Sequence, residues 1–274
     1  MKIRNSLAAC VCGLALTAPL VTTAMASHHQ WGLHPLKALG HVGAYEPPYV
    51  APANAKSGNW TDLPGTLPFR KGPETALLLT DGTVMIHDAC YGQWYRLAPD
   101  KKGRYETGSW STPAAMPEGY GPLYFGSQVL PDGRVIMNGG EFNGPDGNCT
   151  EVYTNSGALY DPVANSWTSV AAPSGWSDVG DAQTAILPDG SYMLTDCCTK
   201  QQAIASISGT AVSWSGTGTG KADINAEEGW VQLPGGDILT VDTWTHLDST
   251  NQVEIYDTST GSWSVAGTTA QALV

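Results

Sequence analysis

The sequence predicts an all-β chain built as a β-propeller, and three observations carry that expectation: four hairpin-like segments, a tryptophan after each, and a spacing near 50 residues between those tryptophans. The composition agrees. The 274 residues include 32 Gly, 18 Pro and 10 Trp, and only 14% are charged. That balance suits a turn-rich β protein better than a helical bundle or a disordered chain. The length suits one large domain.

The chain opens with Lys2 and Arg4, an apolar run from Leu7 to Val21, and the small-residue site Ala24-Met25-Ala26. Residues 1–26 therefore read as a secretory signal peptide, and the expected location is secreted or periplasmic. The run is interrupted by Thr17 and Pro19, and no later stretch reaches the roughly 18 apolar residues of a membrane-spanning helix, so no transmembrane span is expected. Residues 27–58 form a Pro-rich leader holding His28, His29, His34 and His41. Cleavage would leave Ser27-His28-His29 at a new terminus, a donor set suited to Cu(II) or Ni(II), although a frayed end is the plainer reading. Without residues 1–26 the chain keeps 11 basic and 25 acidic residues, which makes nucleic acid and anionic lipid poor partners. Four cysteines also remain, Cys90, Cys149, Cys197 and Cys198, and an even number in an exported chain favours disulfides.

Residues 59–274 carry the repeat. The hairpin segments run over 75–86 around Asp81-Gly82, 126–137 around Asp132-Gly133, 183–194 around Asp189-Gly190 and 229–241 around Gly235-Gly236. Asp-Gly between β-type runs signals a two-residue type I′ turn, whose central residues both need positive φ. Trp110, Trp167, Trp214 and Trp263 follow the hairpins and Trp60 precedes the first, at spacings of 50, 57, 47 and 49 residues. Four blades are expected, over about 61–110, 111–167, 168–214 and 215–263.

The stretch Val135-Ile136-Met137-Asn138-Gly139-Gly140, followed by Tyr160-Asp161-Pro162 and Asn165-Ser166-Trp167, resembles a kelch repeat. The fourth unit repeats its close as Ile255-Tyr256-Asp257 and Gly261-Ser262-Trp263. The whole is similar to secreted kelch proteins of the galactose oxidase-like superfamily. Only the second unit keeps the double glycine. Kelch rings usually hold six or seven blades. Asn59-Trp60-Thr61 reads as an outermost strand lacking its own hairpin, and no set of three strands follows Trp263 to receive it, so the expectation is a C-terminally truncated ring.

Blade topology brings the approach to each innermost strand and the loop after each second strand to one face. Glu74, Tyr124, Asp181, Glu227 and Glu228 are the candidates on the approaches. His87, Asp88, Glu141, Phe142 and His246 are candidates in the loops, with Trp94 and Trp244 as rings that break the tryptophan period. Carboxylates beside planar rings suit hydroxyl recognition and stacking on sugar faces. Acids also cap turns and hydrate surfaces, so many of these residues have a plain structural reading. The adjacent Cys197 and Cys198 either pair with each other or send one member to Cys149. The preferred pattern is Cys90–Cys149 with a vicinal 197–198 bond. No metal site or cofactor is identified. The run Gly216–Lys221 lacks the Ser/Thr and helix of a phosphate loop, and no Gly-x-Ser-x-Gly turn occurs.

In the galactose oxidase-like copper enzymes, a Tyr approaching an inner strand is crosslinked to a Cys one blade earlier. Tyr124, eight residues before Asp132, stands at the Tyr place, but Pro73 stands at the Cys place, and Phe142 replaces the stacking Trp. The resemblance therefore disfavours copper oxidation. The expected function is an exported module binding a glycan or an exported protein, with a carbohydrate-active propeller enzyme as the alternative. No catalytic residue is assigned.

Overall fold

The computed structural model describes residues 62–63, 66–243 and 250–273. The expected signal peptide and leader, with Trp60, Trp244 and His246, lie outside them. All elements among the described residues are strands. The first sheet holds β1 (Pro73–Leu78), β2 (Val84–Asp88), β3 (Trp94–Ala98) and β4 (Ser109–Ser111). Next comes the short strand β5 (Pro122–Leu123), before the second sheet begins with β6 (Gly126–Val129) and β7 (Val135–Asn138). Two further short strands, β8 (Phe142–Asn143) and β9 (Thr150–Glu151), interrupt that sheet before β10 (Ser156–Asp161) and β11 (Ser166–Ala171) complete it. The third sheet is β12 (Thr184–Ile186), β13 (Tyr192–Thr195), β14 (Gln202–Ser208) and β15 (Ala211–Thr217). The fourth is β16 (Val231–Gln232), β17 (Ile238–Val241), β18 (Thr250–Asp257) and β19 (Ser262–Leu273). Each four-stranded sheet is an antiparallel meander, the arrangement expected of propeller units.

Contacts between sheets repeat, which is what a rotational repeat requires. The first strands β1, β6 and β12 are neighbours in series, and Gln232 of β16 donates to the Ile186 carbonyl of β12 at 2.8 Å. At the opposite end, a Cβ on Gly133 would meet Thr80, one on Gly190 would meet Pro131, and one on Gly236 would meet Pro188. The residue before each Asp-Gly thus touches the turn glycine of the next sheet. The outer strands repeat a third contact: the Trp167 indole donates to Ala114 O at 2.9 Å and the Trp214 indole to Ala171 O at 2.8 Å. Trp167 and Trp214 therefore fasten the second and third sheets to the chain before them, whereas the buried Trp263 indole packs on Tyr256 and Trp230 without an N–H partner among the described residues.

The turns differ from the expected type. Gly82, Gly133 and Gly190 have φ of 80°, 89° and 86°, whereas the preceding aspartates are not in the left-handed region. Gly82 N–H bonds Leu79 O and Leu79 N–H bonds Thr83 O, and the same pair of bonds recurs at Leu130 and Leu187. This is a three-residue loop ending in a left-handed glycine, not a two-residue type I′ turn. The aspartate instead accepts the N–H two residues on, as Asp81 does from Thr83, Asp132 from Arg134 and Asp189 from Ser191.

Candidate functional site

β5, β8 and β9 form a small antiparallel sheet of their own, outside the four meanders. Most of it is an insertion between the second and third strands of the second sheet, and the Cys90–Cys149 disulfide ties it to the loop after β2, with Cα atoms 5.3 Å apart. Tyr124, Glu141, Phe142, Glu151 and Tyr153 lie on or beside it. The sequence carried one signal of this insertion, the 57-residue interval before Trp167 where the others are 47 to 50.

Several approaches and loops converge here. Glu74 accepts the Tyr124 N–H at 3.2 Å and meets His87 Nδ1 at 2.9 Å, so it joins the first sheet to the second. The Tyr124 and Phe142 rings meet edge to face at 6.0 Å. Tyr153 presents its hydroxyl to Glu141 Oε1 at 3.5 Å. Glu141 is buried, and desolvation followed by the charges of Asp181, Glu227 and Glu151 pushes its carboxyl up to about 7. Burial and the charges of Glu141 and Glu74 also raise the Tyr124 phenol. Tyr124 and Tyr153 remain open to solvent, at 37% and 38% exposure, and Glu227 is exposed as well.

Backbone geometry fixes two of these side chains. Tyr124 and Glu227, each eight residues before the central turn of its sheet, both have φ of 55°. Non-glycine residues in this region are strained and persist only where surroundings hold them. Asp181 occupies the equivalent position in the third sheet, directly after Gly180 with φ of 63°. The double glycine makes this approach passable: a Cβ on Gly139 would lie 2.2 Å from Gly180 O. Gly140 N–H donates to that same oxygen at 2.6 Å.

Glu74, Tyr124, Glu141, Phe142, Asp181 and Glu227 are thus gathered at one mouth. The other candidates are elsewhere. Trp94 is not a face residue: it begins β3, is fully buried, packs against His87, Phe125 and Trp167, and donates its indole N–H to Met116 Sδ. His87 is also fully buried, with Nε2 on Tyr91 O at 2.8 Å. Asp88 is an internal anchor that accepts the N–H groups of Arg70, Lys71 and Gly72. Glu228 turns away from its neighbour Glu227 into the fourth sheet, where Lys221 Nζ meets Glu228 Oε1 at 2.7 Å, Asp242 Oδ1 at 3.4 Å and Glu254 Oε2.

Sequence reading missed Tyr153, Lys221, Asn225 and Glu254. The glycine-rich run leads to Lys221, which is buried; desolvation opposes its charge, but Glu228 and Glu254 outweigh this and raise it. Burial pushes Glu228 up to about 7 against the pull of Lys221. Asn225 is fully buried and its Nδ2 donates to Asp196 O, Thr199 O and Gln201 O, clasping the loop that holds Cys197 and Cys198. Those two cysteines form the second disulfide. No helix of the described residues is long and apolar enough to cross a membrane.

The copper chemistry implied by the resemblance finds no suitable donor set at Tyr124. Its described surroundings are carboxylates and Phe142, the crosslinking position is Pro73, and both nitrogens of His87, the histidine among the described residues, are engaged inside the fold.

No protein-family model matches the chain, and no curated protein matches it in sequence. Solved structures do share its fold. The chain is similar to YjhT at 18% identity and a TM-score of 0.53, covering 76% of this chain and 68% of that one. It also matches a fungal alcohol oxidase of the AA5 family in complex with copper (17% identity, TM-score 0.42, 73% of this chain and 54% of that one). A virginiamycin B lyase from Staphylococcus aureus matches at 13% identity and a TM-score of 0.49, over 73% of this chain and 57% of that one. The chain thus spans between about half and two thirds of the length of these structures, and the likeness to YjhT is one of fold: an all-β, propeller-type architecture.

Proposed function

We propose that this chain is an exported kelch-type propeller that binds a glycan at the mouth formed by Glu74, Tyr124, Glu141, Tyr153, Asp181 and Glu227. The observation that carries the reading is the placement of Tyr124 and Glu227 at equivalent positions of two sheets, both in left-handed backbone and both reaching solvent. Strain of this kind is retained where an oriented side chain is useful. Two open phenol rings offer stacking surfaces, and carboxylates accept hydrogen bonds from sugar hydroxyls. An exported chain also accounts for two disulfides.

The test is binding of an oligosaccharide array by the purified chain, repeated with Tyr124→Ala and Tyr153→Ala. The reading expects a binding sugar class and at least a tenfold loss in each variant; unchanged binding in both would refute it. An enzymatic reading has one observation in its favour, the Glu141 carboxyl pushed up to about 7 by burial and neighbouring carboxylates, a value suited to acid–base work. Turnover of a bound sugar that is lost in Glu141→Gln, with binding retained, would favour the enzyme over the module.

A further inference from the structure

The two disulfides close very different loops. Cys90–Cys149 spans 59 positions, whereas Cys197–Cys198 joins neighbours whose Cα atoms are 3.8 Å apart. A crosslink between adjacent residues removes almost no chain entropy from the unfolded state, so it does not act as a staple. Its surroundings give it another role. Cys197 is buried and Cys198 half-buried. A Cβ on Gly180 would lie 2.4 Å from Cys197 Sγ and 2.7 Å from Tyr153 Cδ1, so the sulfur, the glycine and the phenol ring are in one stack. Cys197 N–H also donates to Val179 O at 3.1 Å. Gly180 precedes Asp181, and Tyr153 bonds Glu141, so two contacts connect the sulfur to the carboxylates of the mouth. Asn225 holds both flanks of the 196–201 loop independently of the S–S bond.

We propose that Cys197–Cys198 is a redox-responsive element of the mouth: oxidised, it fixes Gly180, Asp181 and the Tyr153 ring, and reduction by a dithiol releases them without unfolding the sheets. The more open Cys198 Sγ is the point of attack. A dithiol thiolate bonds to it, the Cys197–Cys198 bond breaks, and its electron pair leaves on Cys197 Sγ, which takes up a proton. The second thiolate of the reductant then displaces Cys198 Sγ, which is also protonated, and the reductant leaves as a cyclic disulfide. Two electrons and two protons pass from the dithiol to the protein.

The proposal rests on the mouth being the binding site only for its consequence, so the experiment separates the two. Graded dithiothreitol is added to the full chain, with differential alkylation read by mass spectrometry and backbone amides followed by NMR. The expected result is alkylation at Cys197 and Cys198 while Cys90–Cys149 persists, with shifts confined to residues near 153, 180–181 and 196–199 and a moved titration midpoint at Glu141. Cys197→Ser/Cys198→Ser should reproduce those shifts and ignore dithiothreitol. Reduction of Cys90–Cys149 at the same or lower dithiol concentration, or silence of Tyr153, Asp181 and Glu141 on reduction, would overturn it. Any oligosaccharide found on the array should bind the two redox forms with affinities at least about fivefold apart. Equal affinity would overturn the functional consequence, whereas an array with no binder would count against the glycan reading and leave the NMR result to decide the switch.

Discussion

Two groups of carboxylates in this chain are treated in opposite ways by the fold. Around Lys221, the acids Glu228, Asp242 and Glu254 are sealed from water and share one ammonium. At the mouth, burial and then the charges of Asp181, Glu227 and Glu151 push the Glu141 carboxyl up to about 7, and the Tyr153 hydroxyl lies 3.5 Å from it. The first group is a finished internal network that sets the chain between β15 and β16. The second gathers carboxylates beside rings that are open to solvent. Residue type does not separate the two groups; full burial around Lys221 against the exposure of Tyr124, Tyr153 and Glu227 at the mouth does.

The strongest way to sharpen that contrast is to remove the ammonium. Lys221→Met leaves buried carboxylates without their cation and should lower unfolding free energy by about 3–5 kcal/mol in urea titrations. A loss below about 1 kcal/mol would mean that the cluster is not the structural half of the comparison. Next in size, Cys90→Ser/Cys149→Ser should cost about 2–4 kcal/mol, whereas Cys197→Ser/Cys198→Ser should cost less than about 1, because only the former closes a long loop.

Glu141 supplies the next test. A carboxyl whose pKa rises on folding holds its proton longer in the folded state, so its contribution is complete below the unfolded value of 4.5 and is lost as pH climbs to about 7. Glu228 adds to the same fall over the same window. Glu141→Gln should therefore stabilise the chain by about 1–3 kcal/mol at pH 8 and by little at pH 4.5. Melting curves at the two pH values check this. The smallest effects belong to the rings: Tyr124→Ala and Tyr153→Ala should change stability by about 1 kcal/mol or less while weakening glycan binding at least tenfold.

The repeat is written in the sequence, but burial is not. The tryptophan period, the turn glycines and the double glycine are local patterns, and each does in the structure what a repeat demands: Trp167 and Trp214 bond the preceding sheet, and Gly139 admits the Gly180 carbonyl. Glu74, Tyr124, Glu141, Asp181 and Glu227 were legible as a face because the topology of a meander sorts them. Burial was not legible. Trp94 departs from the period because it is the first residue of β3 and fills the core, not because it faces a ligand. Glu227 and Glu228 are adjacent yet diverge, since a left-handed residue followed by a buried ion pair sends one outward and the other in. Lys221 finds its partners 7, 21 and 33 positions away, and Asn225 finds its own 23 to 29 positions away. Tyr153 reached the mouth through an insertion visible only as a longer interval.

The ligand is expected at the solvent-open mouth, and not at the sealed cluster or the outer clefts. Titrating isotopically labelled protein with the best oligosaccharide from the array, and mapping amide shifts by NMR, tests it directly. The largest shifts are expected at residues 74, 124, 141, 153, 181 and 227, with Lys221 and Asp242 unmoved. Shifts centred on the outer cleft lined by Trp176, Gln201 and Trp214, with the mouth silent, would contradict it.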